Sequence, residues 1–280
     1  MQRIRNMAER YPQLYVRPSK EAEEAYHAAV TTGKPVGNDL SHFIGSEEDD
    51  LRTEQTPAGP VEMLFLRQRA DFETFLRCIG CRCRMEEIPQ SVGAYVFFNL
   101  RNWQKIRAYM AEYRGPDWPA ELRRFDADRG KSRDTLILLS EGPYSGVPWE
   151  KTPYGEAEWL RISLDIRRFH ECAHVVCRRS YPEKKLPLWD ELTADLTGLR
   201  KATGSYDAAL AAAFLGVTAE GYTPGGRLRH YLAENEDKDA AAREIWQVIW
   251  QLSERSAARP KEGDTWDLLL DLTREPLLLR

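Results

Sequence analysis

The segment Leu164-Asp165-Ile166-Arg167-Arg168-Phe169-His170-Glu171-Cys172-Ala173-His174-Val175-Val176 carries apolar residues at 164, 166, 169, 173 and 176. That spacing predicts a helix over about 163–180 with one buried side. His170 and His174, four apart, then stack on one face, close enough for both rings to bind a single ion. Glu171 lies about 100° around the helix from His170. The offset keeps it from being a third ligand and sets its carboxylate beside an open coordination position, where it can take a proton from water. This is the mechanical content of H-E-x-x-H.

Two histidines do not complete a catalytic zinc site, which takes three protein ligands and leaves a fourth position open. Downstream lies Leu188-Trp189-Asp190-Glu191-Leu192-Thr193-Ala194-Asp195-Leu196-Thr197-Gly198-Leu199. The interval between His174 and Glu191 is long enough for a turn at Tyr181-Pro182 and a second helix, over 187–202, returning beside the first. Glu191 and Asp195 again share a face. Glu191 is placed to ligate the ion, and Asp195 to accept a hydrogen bond from the outer nitrogen of a ligand histidine, which fixes that ring's tautomer.

His170-Glu171-Cys172-Ala173-His174 followed by Glu191-Leu192-Thr193-Ala194-Asp195 resembles the gluzincin group of zincin metallopeptidases, in which H-E-x-x-H is paired with E-x-x-x-D on a second helix. The resemblance covers about residues 160–200. It implies one zinc per chain held by His170, His174 and Glu191, with Glu171 as general base and Asp195 behind the ligands. It also implies a zincin-like α+β fold and a peptide or protein substrate. Such enzymes place a further donor beyond the third ligand to stabilise the oxyanion. Tyr222, Arg227, His230 and Tyr231, around Gly225-Gly226, are the candidates; His230 is attractive by residue type, although a surface histidine on a charged helix is the commoner reading of it.

Zincin-type folds lay substrate along a sheet edge by strand addition. Thr135–Ser140, shortly before the active-site helix, is the candidate strand, with Gly142-Pro143-Tyr144-Ser145-Gly146 as a rim; a buried strand followed by an ordinary turn is the equal alternative. Residues 88–94, a tight loop or the entry to a strand, form a second candidate wall. Cys78-Ile79-Gly80-Cys81-Arg82-Cys83 suggests a second metal only if Cys172 or Cys177 joins it, because a structural zinc needs four ligands. Free thiols are the default, with Cys172 packed rather than ligating.

Outward from the motif, helices are predicted over 20–30 (ending near Gly33 and Pro35), 70–78, 103–113, 206–215 and 238–256. Strands are predicted over 61–66, 95–100 and 135–140. Residues 37–60, rich in acids, Gly and Pro, read as a solvated loop. The chain thus reads as α+β, with a mixed α and β lobe over 1–155 carrying the substrate-side sheet. A helical lobe over 156–280 carries the H-E-x-x-H and third-ligand helices.

The 280 residues are 42% hydrophobic and 30% charged, with a formal net charge of −4. That balance supports a sizeable core and offers no concentrated basic face for nucleic acid. The opening residues lack the apolar run of a signal peptide and no stretch is long enough to span a membrane, so no membrane partner is expected. Five cysteines, an odd number in two clusters, suit a reducing cytoplasm better than a disulfide framework. A zinc metallopeptidase is the leading expectation. The alternatives are the same centre acting on a non-peptide amide, modified peptide or small molecule, and a zincin fold that binds without turnover.

Overall fold

The computed structural model describes residues 1–34, 37–259 and 265–278. The fold is α+β, with a four-stranded mixed sheet and, among the described residues, eleven α-helices. Two compact units are formed. One comprises Met1–Glu54, Val61–Pro89 and Tyr95–Ser140; the other comprises Gln55–Pro60, Gln90–Ala94 and Glu141–Arg280. After the last strand the division falls at 140/141, where the sequence reading placed it at 155/156.

The first unit contains α1 (Gln2–Arg10), α2 (Glu23–Thr32), α3 (Arg69–Ile79), α4 (Trp103–Glu112), α5 (Trp118–Ala127) and α6 (Arg129–Ser132). Its sheet is drawn from β1 (Asp50–Thr56), β2 (Gly59–Leu66), β3 (Ala94–Arg101) and β4 (Arg133–Ser140), in the order β1-β2-β4-β3. Only two residues join β1 to β2, which makes them an antiparallel hairpin. β2 and β4 run parallel, with Met63 opposite Ile137 and Phe65 opposite Leu139. Leu136, Ile137, Leu138 and Leu139 are all buried, the continuous apolar run expected of a strand covered on both faces.

That position corrects the reading of Thr135–Ser140 as the substrate-binding strand. β4 lies between β2 and β3, so its backbone groups are already paired and cannot accept an added strand. The sheet edges are β1 and β3. β1 also corrects the reading of 37–60 as wholly loop. Its sequence, Asp-Leu-Arg-Thr-Glu-Gln-Thr, is polar because an edge strand faces solvent, and pairing with β2 supplies the order that composition does not signal.

Helix α2 closes at Gly33 in the left-handed conformation (φ 71°); Pro35, also expected to end it, lies outside the described residues. Helices α1, α5 and α6 were not predicted. α1 buries Ile4, Met7 and Ala8 along one side. Asp134, at the start of β4, ties three elements together. It accepts hydrogen bonds from Tyr11 Oη (2.6 Å), Asn102 Nδ2 (2.6 Å) and Lys105 Nζ (2.7 Å).

The second unit is built on α7 (Glu156–Ser180), α8 (Pro187–Thr203), α9 (Ala208–Leu215), α10 (Lys238–Ala257) and α11 (Thr265–Arg274). α7 begins seven residues earlier than predicted. Glu156 and Glu158 sit favourably in its first turn, and Trp159 and Ile162 continue its buried side. α8 opens with Pro187 and ends at Gly204 (φ 81°), the usual asymmetry of helix ends. α11, also unpredicted, packs on α7 and α8, and Trp189 Nε1 donates to Leu272 O at 3.0 Å. One core joins Trp159, Ile166, Trp189, Leu196, Phe214 and Ile249.

α7 and α8 make the most extensive helix pair. They come close at Gly198, where an added Cβ would lie 2.8 Å from Ile166 O. Going one turn along α7 from Ile166 and back along α8 from Gly198, His170 meets Asp195, and His174 then meets Glu191. The helices are therefore antiparallel. No helix among the described residues is long and apolar enough to cross a membrane.

Candidate metal centre

His170 Nε2 and His174 Nε2 point at one another across 3.0 Å. Glu191 from α8 closes the group, with Oε2 3.5 Å from His170 Nε2 and Oε1 3.4 Å from His174 Nε2. Tetrahedral zinc with ligand distances of 2.0–2.2 Å separates its donor atoms by roughly 3.3 Å. The two imidazole nitrogens, and the carboxylate oxygen nearest each, lie at separations of that order, 3.0–3.5 Å, so the group could hold a metal ion. Among the described residues, this is the only group of three His, Cys, Asp or Glu side chains with ligand atoms mutually within 4.8 Å.

The outer nitrogen of His170 is held as tightly as the inner one is exposed to the group. Asp195 Oδ1 accepts from Nδ1 at 2.9 Å, which turns Nε2 toward Glu191 and His174. Tyr144 Oη lies 2.8 Å from the same Nδ1 and donates to Asp195 Oδ1 at 2.6 Å. Arg227 donates to the other oxygen of Asp195 and, at 3.4 Å, to Glu191 Oε2. The Tyr231 phenol lies near enough to Glu191 that its pKa is raised first by burial and then by that carboxylate.

Burial acts to lower His170, but Asp195 and Glu191 outweigh it and raise the ring's pKa to about 10. Burial also acts to raise Glu191 and Asp195. The histidines overcome it at Glu191, and Arg227 followed by His170 at Asp195, so both stay below the usual carboxylate range. Glu171 behaves differently: burial pushes it up, and the neighbouring histidines only moderate the rise. Tyr144 is raised well above a free phenol by burial and by Asp195, so it remains a donor.

Arg227 reaches the group because two glycines let the chain close on itself. A Cβ on Gly226 would lie 2.2 Å from Leu215 O, and one on Gly216 would lie 2.6 Å from Gly226 Cα. Gly216 is left-handed (φ 69°) and caps α9, and its carbonyl accepts from Thr223 N at 2.7 Å. The turn at Thr223–Gly226 is thereby pinned to the end of α9, and Arg227 follows it directly.

Of the residues singled out from sequence, His170, Glu171, His174, Glu191 and Asp195 converge here. Arg227 and Tyr231 join them, whereas His230 and Tyr222 do not. His230 is exposed and accepts from Arg229 Nε at 3.4 Å. Tyr222 spends its hydroxyl on Gly226 O at 2.8 Å. Tyr144, read from sequence as a rim residue, is instead buried against His170. Its local signal is a lone aromatic between Gly142-Pro143 and Gly146. The cysteines are free thiols. Cys78 donates to Val16 O, and Cys83 to Val16 O and Gln13 O, so these two satisfy backbone carbonyls.

No curated protein sequence and no solved structure matches this chain. A family model matches residues 8–262, which includes every residue of the centre. The chain thus belongs to the family of unknown function DUF7005.

Proposed function

We propose that this chain is a zinc-dependent hydrolase of zincin-like type that cleaves a peptide bond. The observation that carries the reading is the ligand group itself. Two imidazoles and one carboxylate bring their ligand atoms within 4.8 Å of one another, beside a glutamate one residue along the same helix. His170, His174 and Glu191 would hold the ion, with Asp195 orienting His170. When bound, zinc supplies Lewis acidity toward a carbonyl oxygen and toward water.

The remaining chemistry belongs to the side chains. Glu171 takes a proton from the attacking water and passes it to the departing nitrogen, the work of a general base that becomes a general acid. Its upward-shifted pKa suits both halves, because a carboxylate nearer neutrality returns a proton more readily. Arg227 and Tyr231 are the donors bordering Glu191, and negative charge developing on a substrate oxygen is assigned to them. The choice of a peptide over another amide follows from the H-E-x-x-H and E-x-x-x-D resemblance.

Metal analysis of purified wild-type protein and Glu171→Gln tests the proposal, together with hydrolysis of a broad peptide library. The expected result is about one zinc per chain in both proteins, with cleavage by the wild type alone. A metal-free protein of unchanged stability would overturn it. Zinc without peptide cleavage would redirect the centre to a non-peptide amide or to binding without turnover.

A further inference from the structure

We infer that the Tyr144 hydroxyl is a positioning group of this centre, locking Asp195 and His170 so that the His170 Nε2 lone pair faces the ion. The inference rests on the reading of His170, His174 and Glu191 as metal ligands.

Three atoms form a closed triangle. Tyr144 Oη is 2.6 Å from Asp195 Oδ1 and 2.8 Å from His170 Nδ1, and those two are 2.9 Å apart. An ionised carboxylate only accepts, so the tyrosine O–H must point at Asp195. Its oxygen is then free to accept alongside Asp195 from His170 Nδ1–H. Both protons of the triangle are thus assigned, and the His170 proton is on Nδ1. With Asp195 alone, the ring could pivot about a single hydrogen bond. With two acceptors on either side of the N–H, its plane is fixed.

Tyr144 is itself held from every side. Its backbone N–H donates to Ser163 Oγ at 2.9 Å, and Ser163 lies two turns before His170 on α7. The clamp and its target are thereby anchored to the same helix. The next residue, Ser145, adopts the left-handed conformation (φ 52°), rare for a non-glycine residue and retained when the surroundings impose it. Phe214 meets the ring edge-on at 4.7 Å between centroids. The guanidiniums of Arg167 and Arg227 lie 5.9 and 5.3 Å from the ring centroid. A phenylalanine would fill the same space, so packing accounts for the ring and leaves the hydroxyl to be explained by Asp195 and His170.

Tyr144→Phe isolates that hydroxyl. Zinc affinity is read by competition with a chromophoric chelator, and ligand geometry by the visible absorption of the cobalt(II)-substituted protein. A loss of about 10–100-fold in zinc affinity is expected, the usual effect of removing a partner behind a ligand histidine. The cobalt band should shift, while thermal unfolding of the metal-free variant remains cooperative. Wild-type affinity together with an unchanged cobalt spectrum would overturn the inference and leave the ligand assignment standing. Wild-type protein that binds neither metal would remove the ligand assignment and the inference with it. Should Tyr144→Phe fail to fold, Ser163→Ala loosens the anchor of Tyr144 without touching the triangle. It should weaken zinc binding in the same direction, and unchanged affinity there would overturn the inference.

Discussion

Gly198 faces the carbonyl oxygen of Ile166 so closely that a methyl group at its Cα would stand 2.8 Å from that oxygen. Backbone meets backbone at this crossing, and the register that follows brings Asp195 to His170 and Glu191 to His174. Gly198→Ala should force α8 away from α7. A destabilisation of about 1–3 kcal/mol is expected for such overpacking, read by urea unfolding. Zinc affinity should fall as well, because Glu191 moves with its helix. A stable variant with unchanged affinity would show that the crossing does not govern the ligand spacing.

An ion bound by α7 and α8 together stabilises the folded chain by mass action. Free zinc at about a hundredfold over its dissociation constant adds about 2.7 kcal/mol. Zinc should therefore raise the thermal midpoint, and a chelator should reverse the gain. Glu191→Ala should abolish the response. His27→Ala, at an exposed histidine in the first unit, should leave it intact. A midpoint insensitive to zinc in the wild type would count against the ligand assignment.

Proton and metal compete for His170. In the metal-free protein its pKa is raised to about 10 from an ordinary 6.5. The stability contributed by the charged ring is then fully present below about 6.5 and is lost as pH rises through about 10. Metal binding runs the other way, since the ion takes the ring only after the proton leaves. Zinc affinity should rise about tenfold per pH unit between about 7 and 10. Calorimetry in buffers of different ionisation enthalpy should detect about one proton released per zinc near pH 8. A pH-independent affinity over that interval would contradict the arrangement.

Arg227, like His170, bonds both Glu191 and Asp195. Arg227→Met removes one of the two counter-charges of buried Asp195, and breaking such a pair costs about 3–5 kcal/mol in comparable cases. The metal-free variant should unfold at markedly lower urea, and added zinc should restore part of the loss by supplying positive charge. Gly226→Ala should reproduce the defect in weaker or stronger form, because its Cβ would meet Leu215 O at 2.2 Å and displace the turn that carries Arg227. Full stability in both variants would remove Arg227 from the account of the centre.

Much of the centre was legible in the chain because helical spacing is local. His170, Glu171 and His174 share a helix, and so do Glu191 and Asp195, so the 3.6-residue period alone groups each set. The apolar strands at 61–66, 95–100 and 135–140 declared themselves in the same way. The polar strand β1 did not, because its order comes from β2 rather than from its own composition. Nor did sequence order reveal that β4 is interior to the sheet, since strand order is a property of tertiary pairing.

The sequence by itself determined which side chains share a helix face, and hence the two histidines, the glutamate beside them and the paired acids downstream. Tertiary structure decided what meets them across space. Tyr144 and Arg227 reach Asp195 from segments 51 and 32 residues away. Neither contact has a period to announce it; each depends on where a turn anchored at Ser163 and a glycine pair at Gly216 and Gly226 direct the chain. His230, attractive by residue type, is exposed and bonds Arg229 instead. Spacing along a helix repeats and can be counted, whereas the aim of a turn depends on the surface it packs against.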